Sequence, residues 1–234
     1  MSAKKKKKLY EGSTKDVYET EAPDQLLLTF KDTVRGTNAT IENKGVINCR
    51  VSVLLFRFLS SYNVATHFVA ENGVDTIVVR RLDMLPLQAV IHNFANAALA
   101  KQLQVKNGEA LNKPHVELLR KDSPGHVSPL SEEEIRTAQL LSVDELRSLN
   151  RLVTKGNAVL RAFFDRRGLA LASARFEFGR SKTRIVIADE VSFDTCNLWE
   201  KGTGERFDFD NTRNDVAAMK VVFQEVSRRV LTKA

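Results

Sequence analysis

The chain has 234 residues, 43% of them hydrophobic and 28% charged, enough for one large domain or two small lobes with a packed core. Its apolar runs are too short to cross a bilayer, and no apolar stretch follows the lysine-led N-terminus to act as a secretory signal. Cys49 and Cys196 stand isolated, which fits buried thiols in a reducing, cytoplasmic setting and not a disulfide framework.

The net charge of +7 comes mostly from Lys4 to Lys8. Residues 1–8 are expected to form a solvated, disordered basic tail. With one Trp and no basic-aromatic interleaving, a nucleic-acid reader driven by that tail is disfavoured. Residues 8–10 and 16–19 read as short strands around the polar turn Glu11 to Lys15. Residues 26–30 read as a strand and 32–44 as a loop. Residues 45–62 place Val46, Ile47, Val51, Leu54, Leu55, Phe58 and Leu59 at helical spacing. Residues 76–80 and 87–91 read as strands joined by a connector over 81–86, and 95–103 as a short helix. Residues 108–129 contain Pro114, Pro124 and Pro129 and read as a long loop. Ser131 with Glu134, and Ser142 with Glu145, are capping boxes that start two helices. The second runs toward Gly168. Residues 176–178 and 185–188 read as paired strands around a turn over 179–184, and 214–231 as an amphipathic helix. There is no internal repeat and no flexible linker. The fold class is α+β, with a β-rich lobe over residues 9–83 and an α+β lobe over 84–234.

Three constellations could carry chemistry. If the hairpin pairs Glu177 directly with Asp189, two carboxylates share one face and repel unless a cation lies between them, and Mg²⁺ takes such acids together with phosphate oxygens. The competing account is a pair of solvated acids bonded to Arg175 and Arg184. Gly12, Ser13 and Thr14 form a small turn that lets backbone N–H groups approach phosphates, with Lys15 supplying charge. An ordinary hairpin turn explains the same residues. The acid-rich stretch Asp189 to Thr195 follows a buried strand, as site loops often do, or forms a surface turn. The four histidines and two cysteines have no zinc spacing.

In order, these pieces resemble the SAICAR synthetase family. The resemblance rests on Leu9-Tyr10-Glu11-Gly12-Ser13-Thr14-Lys15-Asp16-Val17-Tyr18, Phe30-Lys31-Asp32, Lys44-Gly45-Val46-Ile47-Asn48 and Thr66-His67-Phe68. It continues through Leu82-Asp83-Met84-Leu85-Pro86-Leu87, Leu99-Ala100-Lys101, Phe176-Glu177-Phe178-Gly179 and Ala188-Asp189-Glu190-Val191-Ser192-Phe193-Asp194-Thr195-Cys196-Asn197-Leu198-Trp199. It implies a two-lobed fold with ATP in the interlobe cleft, and an ATP-dependent ligase that activates a carboxylate as an acyl phosphate for amide formation. The reference reaction joins carboxyaminoimidazole ribotide to aspartate in purine biosynthesis. Small-molecule carboxylate and amine substrates are implied, with no nucleic acid and no membrane; a homo-oligomer is left open. Matching positions put Lys15 on the phosphates and Gly12, Ser13, Thr14, Val17 and Met84 around the nucleotide. Glu177 and Asp189 are matched to Mg²⁺. His92, Ala98, Ser173, Arg175, Asp194 and Asn197 are matched to the substrate.

The chain also departs from the family pattern. By the resemblance, His92 and Asn197 stand where arginines grip the ribotide phosphate, and Ala97-Ala98 replace Gly-Ser. Ser173 replaces a ribose-binding aspartate, Arg175 a lysine, and Ser13 the first lysine of the glycine turn. An acid expected near His126 or Ser128 is missing. The nucleotide end is thus expected to be kept and the phosphate anchor lost, unless Arg175, Lys201 or Arg206 takes over. The alternatives are a paralogue for a modified substrate in specialised nucleoside biosynthesis and a nucleotide-binding pseudoenzyme.

Overall fold

A computed structural model describes residues 3–37, 39–123, 126–182, 184–207 and 215–232. The first sheet is five-stranded and antiparallel, in the order β1-β2-β3-β5-β4. Its strands are β1 (Lys8–Glu11), β2 (Lys15–Glu19), β3 (Gln25–Phe30), β4 (Phe68–Glu71) and β5 (Thr76–Arg80). The segment expected to be a free tail is partly tied down. Ala3 exchanges hydrogen bonds with the Asn72 side chain, Lys6 and Lys7 bond the main chain of Glu19, and Lys8 opens β1.

Helix α1 (Lys44–Ser61) follows the spacing of its apolar residues, with Val51, Leu55, Phe56 and Leu59 buried. Its first residues are capped from outside, because Asn43 is left-handed and gives no side-chain cap. The Asp32 carboxylate accepts the Gly45 N–H at 2.9 Å and the Asn43 N–H at 3.3 Å. That approach brings the loop main chain onto Gly45, where an added Cβ would lie 2.8 Å from the Phe30 carbonyl oxygen. Gly45→Ala is therefore expected to destabilise the protein by about 1–3 kcal/mol, read as a fall in the thermal midpoint. An unchanged midpoint would show that the loop yields.

The second sheet comprises β6 (Asp83–Phe94), β7 (Ala110–Ser123), β8 (His126–Pro129), β9 (Leu169–Ser181), β10 (Arg184–Ala188), β11 (Cys196–Glu200) and β12 (Arg206–Phe207). Several of these extend or replace sequence expectations. The connector expected over 81–86 shrinks, because β6 starts at Asp83 and absorbs Pro86 at a register shift between Met84 and Gln88, where a missing N–H costs no ladder bond. The loop expected over 108–129 is largely the hairpin β7–β8. Pro114 sits beside the irregularity near His92 and Phe94, and Pro129 ends an edge strand. Pro124 lies outside the described residues. The turn expected over 179–184 narrows to a tip after Ser181, because Gly179 stays in the strand to admit the Leu82 side chain, 2.7 Å from where a Cβ would stand.

Helix α2 (Ala97–Leu103) packs a small satellite cluster with Ala95, Leu99 and Ala100. Both capping boxes form, on α3 (Glu132–Thr137) and α4 (Val143–Asp165). Helix α4 lies on the second sheet, with Gly156 against Phe176 and Ile187. Helix α5 (Val216–Leu231) closes the chain against the same core through Met219, Phe223 and Val226. The two sheets are joined where Thr66 bridges Ile187 of β10 and His67 N–H donates to the Ile187 carbonyl at 2.9 Å.

Candidate active site

The long central strand β9 organises the site. One edge pairs with β6; the other pairs with β11 over its first half and with β10 over its second. The loop 189–195 leaves the sheet between β10 and β11, beside the middle of β9. Alternation along β9 sends Phe176 and Phe178 into the core and puts Ser173, Arg175 and Glu177 on the other face.

Glu177 does not pair directly with Asp189. Its cross-strand partner is Ala188, and Asp189 lies one residue beyond, with a left-handed φ of 60°. That conformation is uncommon for a residue with a side chain. It is held by the His67 ring, whose Nε2–H donates to the Asp189 carbonyl at 3.0 Å. The carbonyl can only accept, so the bond sets the neutral ring tautomer. Burial pushes His67 down to about 4, against the pull of Asp189.

The kink turns Asp189 toward Lys15, 3.2 Å away, and Glu190 pairs with the same ammonium. Burial alone would push the Lys15 ammonium down, but these two carboxylates hold it above its ordinary value. Asp189 is shifted the other way: burial would raise it, and the Lys15 charge lowers it. Burial and Asp189 both raise Glu177, opposed by Lys121, whose Nζ donates to it at 2.5 Å. The ion-pair partners of the two acids are Lys121 and Lys15, where the competing account had Arg175 and Arg184. Arg175 instead donates to the Asp194 main-chain carbonyl at 2.6 Å.

The glycine turn sits next to this cluster. Gly12 N–H bonds the Lys15 carbonyl at 2.8 Å, and Lys31 Nζ donates to the Gly12 carbonyl at 2.9 Å. Val17 follows Lys15 two residues along β2 and is partly buried against the core. Met84, at the start of β6, is 45% exposed. Asp194 is held by Lys44 Nζ and by Asn48 Nδ2 at 2.9 Å, and the loop is tied internally by Ser192 to Glu190 and to the Asp194 N–H.

His92, Ser173 and Asn197 fall in one row across β6, β9 and β11 and line a cavity of about 230 Å³. Ala98 does not line it; its neighbours Asn96 and Ala97 do, together with Phe94, Asn107, Trp199 and Arg206. Sequence reasoning passed over Phe94, Asn96 and Asn107. Trp199 was legible, since it stands two residues from Asn197 on one strand and so shares its face. Glu190, Lys44, His67 and Lys121 also had no assigned part in the site, although Glu190 adjoins Asp189 in sequence. Lys121 comes from the stretch expected to be a loop.

Two carboxylates beside a buried ammonium make a polar site that can hold a polyphosphate only through a cation shared by acid and phosphate. Among the described residues no three metal-ligating side chains cluster, so a cation here needs oxygens from a bound phosphate, which is how Mg²⁺ is usually held. The residues present fit such an ion.

A family model for SAICAR synthetase matches residues 8–230. A phosphoribosylaminoimidazole-succinocarboxamide synthase from Wolinella succinogenes is 34% identical, covering 95% of this chain and 97% of that protein. The crystal structure of the synthase from Ehrlichia chaffeensis superposes with a TM-score of 0.89 at 28% identity, covering 97% of this chain and all of that one. A SAICAR synthetase solved in complex with ADP gives 0.88 at 30% identity, covering 96% and 97% of the two chains. Since sequence and fold agree over almost the whole length, the chain belongs to the SAICAR synthetase family of ATP-dependent ligases.

Proposed function

We propose that the protein activates a carboxylic acid with ATP and joins it to an amine. The γ-phosphoryl group passes to the carboxylate oxygen, giving an acyl phosphate and ADP. The amine then attacks the acyl carbon, expelling phosphate and losing a proton to form the amide. The reference reaction is the condensation of carboxyaminoimidazole ribotide with aspartate, as the relatives' names imply. The observation that carries this reading is the convergence of Lys15, Glu177 and Asp189 from three separate strands or their ends onto one cleft.

In this reading Lys15 holds the transferring phosphoryl group, with Gly12, Ser13 and Thr14 beside the phosphates and Val17 and Met84 along the adenine. Glu177 and Asp189 hold Mg²⁺, which supplies charge neutralisation on the phosphates. His67 and the αL backbone at Asp189 keep that carboxylate aimed at the cleft. Arg175, between Ser173 and Glu177 along β9, and Asp194, whose carbonyl it bonds, are assigned to position the reacting acid. Phosphoryl transfer asks the protein mainly for positioning and charge, and this cleft offers both. The cytoplasm is the setting we assign, in keeping with two buried free thiols. No helix among the described residues is long and apolar enough to cross a membrane.

The test is ADP release with ATP, Mg²⁺, aspartate and the imidazole carboxylate. Glu177→Gln and Asp189→Asn should each lower the rate by about 10²-fold or more while the fold is kept, as judged by circular dichroism. Turnover that survives both substitutions would sink the assignment.

A further inference from the structure

The cavity beside the acid cluster has an unusual balance of charge for a subsite in a phosphate-handling enzyme. Its polar lining consists of Asn96, Asn107 and Asn197, the Ser173 hydroxyl and the His92 ring. Phe94 and Trp199 form an apolar wall, with ring centroids 4.7 Å apart. Arg206 is its one cation among the described residues, and that guanidinium lies over the Trp199 ring at 4.9 Å. Negative charge stands beside the imidazole: Glu117 meets His92 Nε2 at 3.3 Å, and that hydrogen bond holds the Glu117 carboxyl below its ordinary range.

No other lysine or arginine among the described residues lines the cavity. Lys201 is paired with Asp165 at 2.6 Å and does not line the cavity. Arg175 lies outside the lining and donates to the Asp194 carbonyl. Arg229 is paired with Glu200 and Glu225, both at 2.7 Å. A phosphate monoester carries close to two negative charges at neutral pH, and enclosing it is costly unless several cations or N–H donors face it. One stacked arginine, set against Glu117, is a poor match for that charge. The same lining is well matched to hydroxyl groups, which both donate and accept. Asn197 already pairs with Ser173 at 3.1 Å, an amide–hydroxyl arrangement that leaves further donor and acceptor capacity for a diol.

The cavity also connects to the reacting end. Ser173, Arg175 and Glu177 share one face of β9, so Ser173 and Glu177 lie about 13 Å apart along the strand. That is the reach of a sugar joined to a small ring that carries a carboxylate.

We propose that this cavity receives an uncharged, hydroxylated sugar ring, so that the carboxylate substrate is a nucleoside-type acid without a 5′-phosphate. The inference rests on the ligase reading above and deepens it. The ring is gripped by amides, a hydroxyl and an imidazole, and the energy-supplying end of the cleft needs no change.

The test uses the full chain with ADP and Mg²⁺, titrated calorimetrically with aminoimidazole-carboxylate riboside and separately with its 5′-phosphate. The riboside is expected to bind at least tenfold more tightly. Asn197→Arg, which puts a second cation into the cavity, should move the preference toward the phosphate by tenfold or more. Tighter binding of the phosphate by the unaltered protein, or binding of neither compound, overturns the proposal. A preference left unchanged in Asn197→Arg would place the ring outside this cavity and also overturns it. ADP release with aspartate separates the two readings. A phosphate-preferring, active enzyme defeats this inference and leaves the ligase standing. A protein that binds riboside but releases no ADP with any amine defeats the ligase reading and leaves the cavity's specificity standing.

Discussion

Lys15→Met is expected to lower both the catalytic rate and the stability. Lys15 is 8% exposed and is the cation shared by Asp189 and Glu190. Removing it leaves the buried Glu190 and the partly exposed Asp189 without their shared ammonium. Breaking a buried pair by deleting one partner costs about 3–5 kcal/mol, which for a chain of this size is a fall in the melting midpoint on the order of 10 °C. If the ammonium also faces the transferring phosphoryl group, its loss removes transition-state stabilisation worth roughly 10²–10³ in kcat. The two effects separate in the double variant Lys15→Met/Glu190→Gln. Neutralising Glu190 should restore part of the melting midpoint, since the residue left behind is no longer a buried charge, and should restore none of the rate. Recovery of the rate along with the midpoint would mean that Lys15 acts only by holding the fold.

The second large effect is a pH dependence of stability centred on His67. Burial depresses this group to about 4 in the folded protein, against roughly 6.5 in the unfolded chain. The folded state therefore holds the neutral ring, and the unfolded state binds the proton more readily as pH falls. The His67 contribution is fully present above about pH 6.5 and is lost progressively as pH drops toward 4, in total about 3 kcal/mol. Denaturant unfolding at several pH values should show that slope in the native protein and a flatter one in His67→Gln. Carboxylates such as Glu145, which its Arg180 partner holds down to about 2, also destabilise the fold on acidification, but below the usual carboxylate range. The difference between the two proteins over pH 6.5 to 4 isolates the histidine. Equal slopes would show that His67 titrates in the folded state as it does in water.

Local signals in the sequence were reliable where one residue type meets one backbone need. Ser131 and Ser142 cap helices because each is followed three residues later by a glutamate that can reach back, and both boxes close. Helix α1 and strand β5 follow apolar spacing and β-branching, which act within a few residues. The prolines misled, because proline forbids a ladder N–H only where a neighbouring strand needs one. Pro86 and Pro114 occupy irregular or one-sided stretches of long strands, a property of the neighbours and not of the local sequence.

The site divides in the same way. The sequence by itself determined the ingredients of the end we propose for the nucleotide: a glycine turn carrying Lys15, and acids at Glu177 and at Asp189 after a buried strand, because charge type is written in the residues themselves, while their roles came from the family resemblance. Only the tertiary structure decided how they meet. It placed Asp189 one step beyond the ladder in a left-handed turn held by His67, since that bond joins residues 122 positions apart. It likewise gathered Asn96, Asn107, Asn197 and Ser173 around one cavity. Neutral side chains from four separate segments have no shared spacing, and their common surface exists only once β6, β9 and β11 are side by side.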